Sequence, residues 1–229
     1  MLKLLERAES FPPVETALRE PNGLLCAGAD LTVDRLRAAY RHGIFPWFSG
    51  DEPILWWSPD PRMVLFCDEL RITRSLSKSV RNKGYRVTAD TAFEEVLLGC
   101  ASPRNGEPGT WLGKAMRRAY LALHRAGHAH SLETWRGNEL VGGLYGVAIG
   151  RMFYGESMFS RATDASKVAV VALVALLRER GFPLIDCQQR TPLLASFGAR
   201  EIARRQFLRR LAALVNYPEP PGKWTRVSA

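Results

Sequence analysis

Nowhere in this sequence do two cysteines form a CxxC pair. The four thiols, Cys26, Cys67, Cys100 and Cys187, are widely separated. That spacing argues against a disulfide framework or a zinc knuckle, and for reduced thiols in a cytoplasmic protein. His42, His124, His128 and His130 form no HExxH motif, so no metal is expected. No GxGxxG and no GxxxxGK[ST] occurs, which weighs against a Rossmann dinucleotide site or a P-loop. The most apolar run, Val168–Leu177, is too short to cross a bilayer and reads as a buried helix. The opening MLKLLERAESFPP mixes acids among its apolar residues and has no signal-peptide core. Acids are also short: 23 Asp and Glu stand against 32 Lys and Arg, a formal charge of +9. Such a balance points to an anionic partner, nucleic acid first, or else serves solubility alone.

What is present is ordinary globular composition over 229 residues, 46% hydrophobic. The first sixty residues are dense in loop signals, FPP, EPNG, GIFPW and SPDP. They enclose one helix, from an N-cap at Thr32 to a stop at Gly43. SPDPR, Ser58 to Arg62, marks a domain boundary. The expected division is a small N-terminal α/β domain over 1–62 and a larger domain over 63–229. In the larger part, strands are expected at 63–67, 85–90, 128–135, 139–150, 151–160 and 182–188. Helices are expected at 72–82, 92–98, 111–126, 166–180 and 202–215. An antiparallel meander followed by strand, helix, strand makes this an α+β or mixed α/β domain.

Two strands carry the candidate chemistry. In Leu184-Ile185-Asp186-Cys187-Gln188, alternation places Asp186 and Gln188 on one face and Ile185 with Cys187 on the other. Cys187 then reads as a small hydrophobe. In RMFYGESMFS, alternation groups Tyr154, Glu156, Met158 and Ser160 against Phe153, Gly155 and Ser157. If the two strands are neighbours, Glu156 and Asp186 face one cleft and suit a cationic group. The alternative, of equal weight, is that each merely caps or pairs with a local Arg. Asp164 and Ser166, before the apolar helix, are N-cap candidates. Arg74, Lys78 and Arg81 share one helical face, with Lys83 just beyond, and Leu76 and Val80 pack elsewhere. That face is a phosphate-contact stripe or a solvated surface. Arg204, Arg205, Arg209 and Arg210 form a second basic cluster. Trp47, Trp56, Trp57 and Trp111 sit beside Gly, Pro or Ser, as ligand-lining aromatics or as packing between domains. Trp56 reads as packing, and at least one of Trp47 and Trp111 as ligand-facing.

The ordered set GIFPW, WWSPDPR, TW, AHSLE-W, LVGGLYG, GESMFS, ASK and LIDCQ resembles the bacterial leucyl/phenylalanyl-tRNA–protein transferases, from about Phe11 to Leu214. The resemblance implies transfer of Leu, Phe or Met from aminoacyl-tRNA to the α-amine of proteins beginning with Arg or Lys, marking them for degradation. It implies a small N-terminal domain, a GNAT-like acyltransferase domain, a monomer, no cofactor and no membrane. By the family pattern Asp186 and Gln188 are the catalytic pair, with Asp186 polarising Gln188, and Glu156 shares their pocket. Trp47 and Trp111 surround the terminal adenosine and aminoacyl group. Leu144, Phe153 and Met158 form the amino-acid wall, and Arg74, Lys78, Arg81 and Lys83 the tRNA contact. Two positions depart from the pattern: Leu193 stands where a His is usual, and Ala203 where a Pro is common. Of the family's acidic pair and amide, a carboxylate is the physically sounder proton acceptor, because a neutral amide oxygen is a very weak base. On that view Asp186 and Glu156 bind the cationic N-terminal residue, and Gln188 positions amine or carbonyl. The alternative is a CoA-dependent N-acetyltransferase. Its pyrophosphate loop is glycine-rich, whereas FSRATDASK here holds no glycine. A non-catalytic RNA-binding protein leaves the acidic cleft without a purpose.

Overall fold

A computed structural model describes residues 2–50, 52–103, 112–218 and 222–224. The described residues form two sheets. The smaller contains β1 (Lys3–Leu5), β2 (Leu24–Gly28), β3 (Phe45–Pro46) and β4 (Leu55–Trp57) in the order β1-β2-β4-β3. Helix α1 (Val33–Arg41) lies between β2 and β3. Thr32 caps it by accepting from the Arg35 N–H at 3.3 Å. Gly43 ends it at φ +71°, a backbone region open to glycine.

The larger sheet has seven strands. They are β5 (Arg62–Phe66), β6 (Arg86–Ala89), β7 (Ala129–Arg136), β8 (Glu139–Ile149), β9 (Met152–Ser160), β10 (Leu184–Gln188) and β11 (Arg200–Ile202). Their order is β11-β5-β10-β9-β8-β7-β6. Only the β9–β10 pair is parallel among these neighbours. Helix α5 (Ala165–Glu179) makes that crossover. An antiparallel meander closing in a parallel strand–helix–strand unit is the α+β or mixed α/β layout expected from the sequence.

Helices α3 (Phe93–Ala101) and α4 (Lys114–Arg125) pack on one face, where Phe93, Val96, Tyr120 and Leu123 are buried with Tyr145 and Tyr154. Leu36 and Tyr40 of α1, Trp56 of the smaller sheet and Phe207 of α7 (Arg204–Leu214) join this same core. Trp56 is fully buried, as its packing role requires. The two sheets therefore share apolar packing, and α1 reaches across to the face of the larger one that α3 and α4 cover. Helices α5 and α2 (Arg74–Asn82) cover the opposite face. Gly142 explains part of LVGGLYG: a Cβ there would come within 2.6 Å of the Ala165 Cβ, so glycine lets α5 lie close to the sheet.

Three expectations change. Residues 200–202 form edge strand β11, so the last helix, expected from Ile202, begins at Arg204. A short helix α6 (Pro192–Ser196), capped by Thr191, occupies what reads as loop. Asp164 does occupy the N-cap position of α5, at φ +64°, but its side chain makes no capping hydrogen bond; it accepts instead from Ser79 Oγ at 2.7 Å and Lys167 Nζ at 2.9 Å, tying α2 to α5. The Ser166 N–H donates to Ser160 Oγ.

Candidate active site

The β9–β10 pairing stops at Asp186 opposite Tyr154. Beyond that point each strand is irregular. On β9, Tyr145 faces Ser157 and Gly146 faces Gly155, which leaves Glu156 as the extra residue of a bulge. On β10 the register shifts between Asp186 and Gln188, and Gln188 takes φ +62°. The two irregular stretches meet: Gln188 Nε2 donates to Glu156 Oε1 at 2.9 Å.

Two tyrosines complete the Glu156 environment. Tyr40 of α1 donates to Oε1 at 2.8 Å, and Tyr120 of α4 donates to Oε2 at 2.6 Å. Their hydroxyls lie 2.9 Å apart. A third, Tyr154, donates to the Tyr40 carbonyl at 2.7 Å and holds α1 against the sheet. Burial pushes the Glu156 carboxyl up to about 7, the nearby Asp186 charge adds to this, and the tyrosine and amide donors oppose it. Burial, with the Glu156 charge next, also raises both tyrosines well above their ordinary value, so they remain donors.

Asp186 occupies a different setting. Its carboxylate is fully buried and forked by Arg62, Nε to Oδ1 at 2.8 Å and Nη2 to Oδ2 at 2.7 Å. The Arg62 guanidinium also donates to the Gly43 carbonyl and lies between the rings of Phe45 and Phe207, 4.9 and 4.7 Å from their centroids. Asp186 reaches Gln188 through the Gln188 backbone N–H at 2.8 Å, while the Gln188 side chain turns to Glu156. Glu156 and Asp186 are neighbours, but only Glu156 lines the open cavity.

That cavity, about 500 Å³, has Glu156 and Gln188 among walls that are mostly apolar. Leu144, Phe153 and Met158 line it together, with Leu173 of α5 and Ile185. Simple alternation puts Phe153 and Met158 on opposite faces. The Glu156 bulge shifts the period by one residue and returns Met158 to the Phe153 side. Leu193, where the resemblance leads one to expect His, is on α6 and also faces this space. Trp47 stands at the cavity, 41% exposed, edge-on to Trp57. Trp111 lies outside the described residues. Cys187 lines the cavity beside Ile185, and burial raises its thiol, so it stays neutral. A larger cleft, about 830 Å³, runs between segment 7–15, α1 and α7, and gathers none of these groups.

Arg74, Lys78 and Arg81 are exposed along α2, opposite buried Leu76; Val80 is exposed too, contrary to its expected packing. Lys83 caps the end of α2 and donates to the Thr163 carbonyl at 3.2 Å. Among the described residues no group of His, Cys, Asp or Glu could hold a metal ion. No described helix is long and apolar enough to cross a membrane.

Tyr40, Tyr120 and Arg62 are the site residues that sequence reasoning did not single out. Tyr40 follows Leu36 by four positions on the buried stripe of α1, so its ring is legible as core. Nothing local indicates that its hydroxyl meets a carboxylate 116 residues away.

Comparison with known proteins gives consistent matches. The family model described as leucyl/phenylalanyl-tRNA protein transferase matches residues 64–212, and that of its N-terminal domain matches residues 29–60. The leucyl/phenylalanyl-tRNA–protein transferase of Thiobacillus denitrificans is 63% identical over 218 residues, 95% of this chain and 96% of its own length. That of Stutzerimonas stutzeri is 60% identical over 219 residues, 95% of this chain and 97% of its own. Among solved structures, FemX aligns at TM-score 0.48 and 11% identity, covering 78% of this chain and 71% of its own.

Proposed function

The chain belongs to the leucyl/phenylalanyl-tRNA–protein transferase family and is an aminoacyltransferase, and on that premise we propose that it moves Leu, Phe or Met from aminoacyl-tRNA to the α-amine of proteins beginning with Arg or Lys, as a cytoplasmic degradation tag. The observation that carries this reading is a hydrogen-bonded carboxylate, Glu156, beside an apolar cavity walled by Leu144, Phe153 and Met158. The cavity takes the aminoacyl side chain, and straight or γ-branched apolar chains suit its walls. The carboxylate takes the cationic amine.

The reaction is aminolysis of an ester that is already activated. Glu156 accepts one proton from the α-ammonium. The free amine attacks the ester carbonyl and forms the new C–N bond. The C–O bond to the ribose breaks, and the proton remaining in excess on nitrogen passes to the leaving oxygen. An α-ammonium has a pKa of about 7.7–8.0. Glu156 at about 7 lies within roughly one unit of it, whereas an ordinary carboxyl falls about three units short. Elevation of the carboxyl thus removes most of the energetic cost of the first proton transfer.

Gln188 is a positioning group. A carboxylate only accepts, so the amide presents NH₂ to Glu156 and keeps its oxygen for the incoming ammonium. Asp186, sealed under Arg62, holds the Gln188 backbone rather than the substrate. Contrary to the expectation that Asp186 and Glu156 share the cationic residue, Glu156 alone is open to it. The direct test is transfer of radiolabelled Leu from Leu-tRNA to one protein with N-terminal Arg and the same protein with N-terminal Glu. Label on the first alone is expected; label on both, or on neither, contradicts the reading.

The tRNA body is assigned to the basic face of α2 and Lys83. Charge reversal at Arg74 and Lys78 is expected to weaken aminoacyl-tRNA binding and flatten its salt dependence by about 0.7–0.9 in log–log slope per lost phosphate contact. Activity on a minimal aminoacyl-adenosine should survive. Equal loss on both substrates contradicts an electrostatic tRNA role.

A further inference from the structure

Trp224, in the described run Gly222–Trp224 after α7, is 3% exposed. Its ring and backbone are fixed by separate contacts. The indole stacks on His130 with centroids 3.9 Å apart and planes 7° from parallel. Its backbone N–H donates to Asp90 Oδ2 at 2.6 Å, and the same oxygen accepts from His130 Nδ1 at 2.8 Å. Arg180 lies over the indole at 5.1 Å, and Phe182 meets it edge-on. A surface tryptophan that merely covered the core would not need an anchored backbone and a stacked imidazole.

On its remaining side Trp224 meets Phe153, with centroids 5.8 Å apart. Phe153 is fully buried and lines the cavity assigned above to the aminoacyl side chain. Its ring is confined elsewhere by Gly146, where any Cβ would come within 2.5 Å of it. The position of this wall is therefore set by the strand backbone and by Trp224.

We propose that Trp224 is a specificity-determining residue, which acts through Phe153 to fix the depth of the aminoacyl cavity and so the relative preference for Phe, Met and Leu. The proposal rests on the reading that this cavity holds the aminoacyl side chain. Interiors are close-packed, so loss of the indole leaves space into which the Phe153 ring retreats. One methylene of added room in such a pocket changes discrimination roughly 10–200-fold.

The test compares wild type, Trp224→Leu and Trp224→Phe, using Leu-, Met- and Phe-tRNA with one acceptor beginning with Arg. Trp224→Leu is expected to raise the Phe-to-Leu ratio of kcat/KM by about tenfold or more, chiefly through KM. Trp224→Phe, which folds with less disturbance, should shift the ratio in the same direction by less. A Phe153→Leu background should abolish the effect of Trp224→Leu on the ratio. Equal loss on all three amino acids, or an unchanged ratio in Trp224→Phe as well, overturns the proposal. A wild-type protein that transfers none of the three overturns the underlying reading of the cavity, a result separate from either.

Discussion

Glu156→Gln is expected to lower the single-turnover rate of transfer by roughly 10²–10⁴-fold at saturating substrates, the range for loss of one positioned proton acceptor. The substitution keeps the side chain's size and one acceptor oxygen, so the Tyr40 contact survives while the basicity is lost. The pH profile gives the sharper readout. In the proposed mechanism the active form is the carboxylate, and its pKa is raised to about 7 by burial. In wild type the rate should therefore rise with pH and level off above about 7, falling tenfold per unit below it. Glu156→Gln should lose that limb and show in its place one near 7.7–8.0, because the substrate amine must then arrive already deprotonated.

Tyr120→Phe supplies a control of opposite character. The Tyr120 hydroxyl holds the Glu156 pKa down, so its removal should move the limb to higher pH without erasing it. Gln188→Ala should cost rate while preserving the limb, because Gln188 positions and does not titrate. Should Gln188→Ala alone abolish chemistry while Glu156→Gln retains the wild-type profile, the proton belongs elsewhere.

The strands that carry this chemistry were legible because they are long, β-rich and punctuated. The polar residues DCQ and GES stand out at the point where apolar strands end. The geometry between them was not legible. A bulge is a property of two paired strands, and alternation within either strand alone predicts the regular case. Glu156 and Gln188 depart from it together, at the point where β9 and β10 part. Arg62 was hidden for a related reason. SPDPR reads as a turn, and its last residue proves to be the first of β5, buried against a carboxylate 124 positions later. The three-residue strand β11 is too short for periodicity to register. Helix α6 did leave a signal, Thr191 before Pro192, which fits an N-cap followed by proline at the first helical position.

Arg62→Met should destabilise the fold by about 3–5 kcal/mol, the usual cost of leaving one partner of a buried ion pair unmatched. In a chain of this length that corresponds to roughly 6–20 °C in melting temperature. Met can keep much of the apolar contact with Phe45 and Phe207, so the loss is chiefly electrostatic. Arg62→Met combined with Asp186→Leu removes both charges and should recover most of the stability, because a buried pair replaced by apolar residues is often neutral or better. Transfer should not recover. Gln188 holds a left-handed backbone, φ +62°, a conformation that costs a non-glycine residue about 1–3 kcal/mol. Its N–H is tied to Asp186 Oδ1 at 2.8 Å, and that contact offsets the strain. Without the carboxylate the bulge relaxes and the amide leaves Glu156. Urea denaturation with single-turnover rates on the same samples separates the two roles. A double variant that is both stable and fully active would show that the Arg62–Asp186 pair serves the fold alone, and that Gln188 finds its place without it.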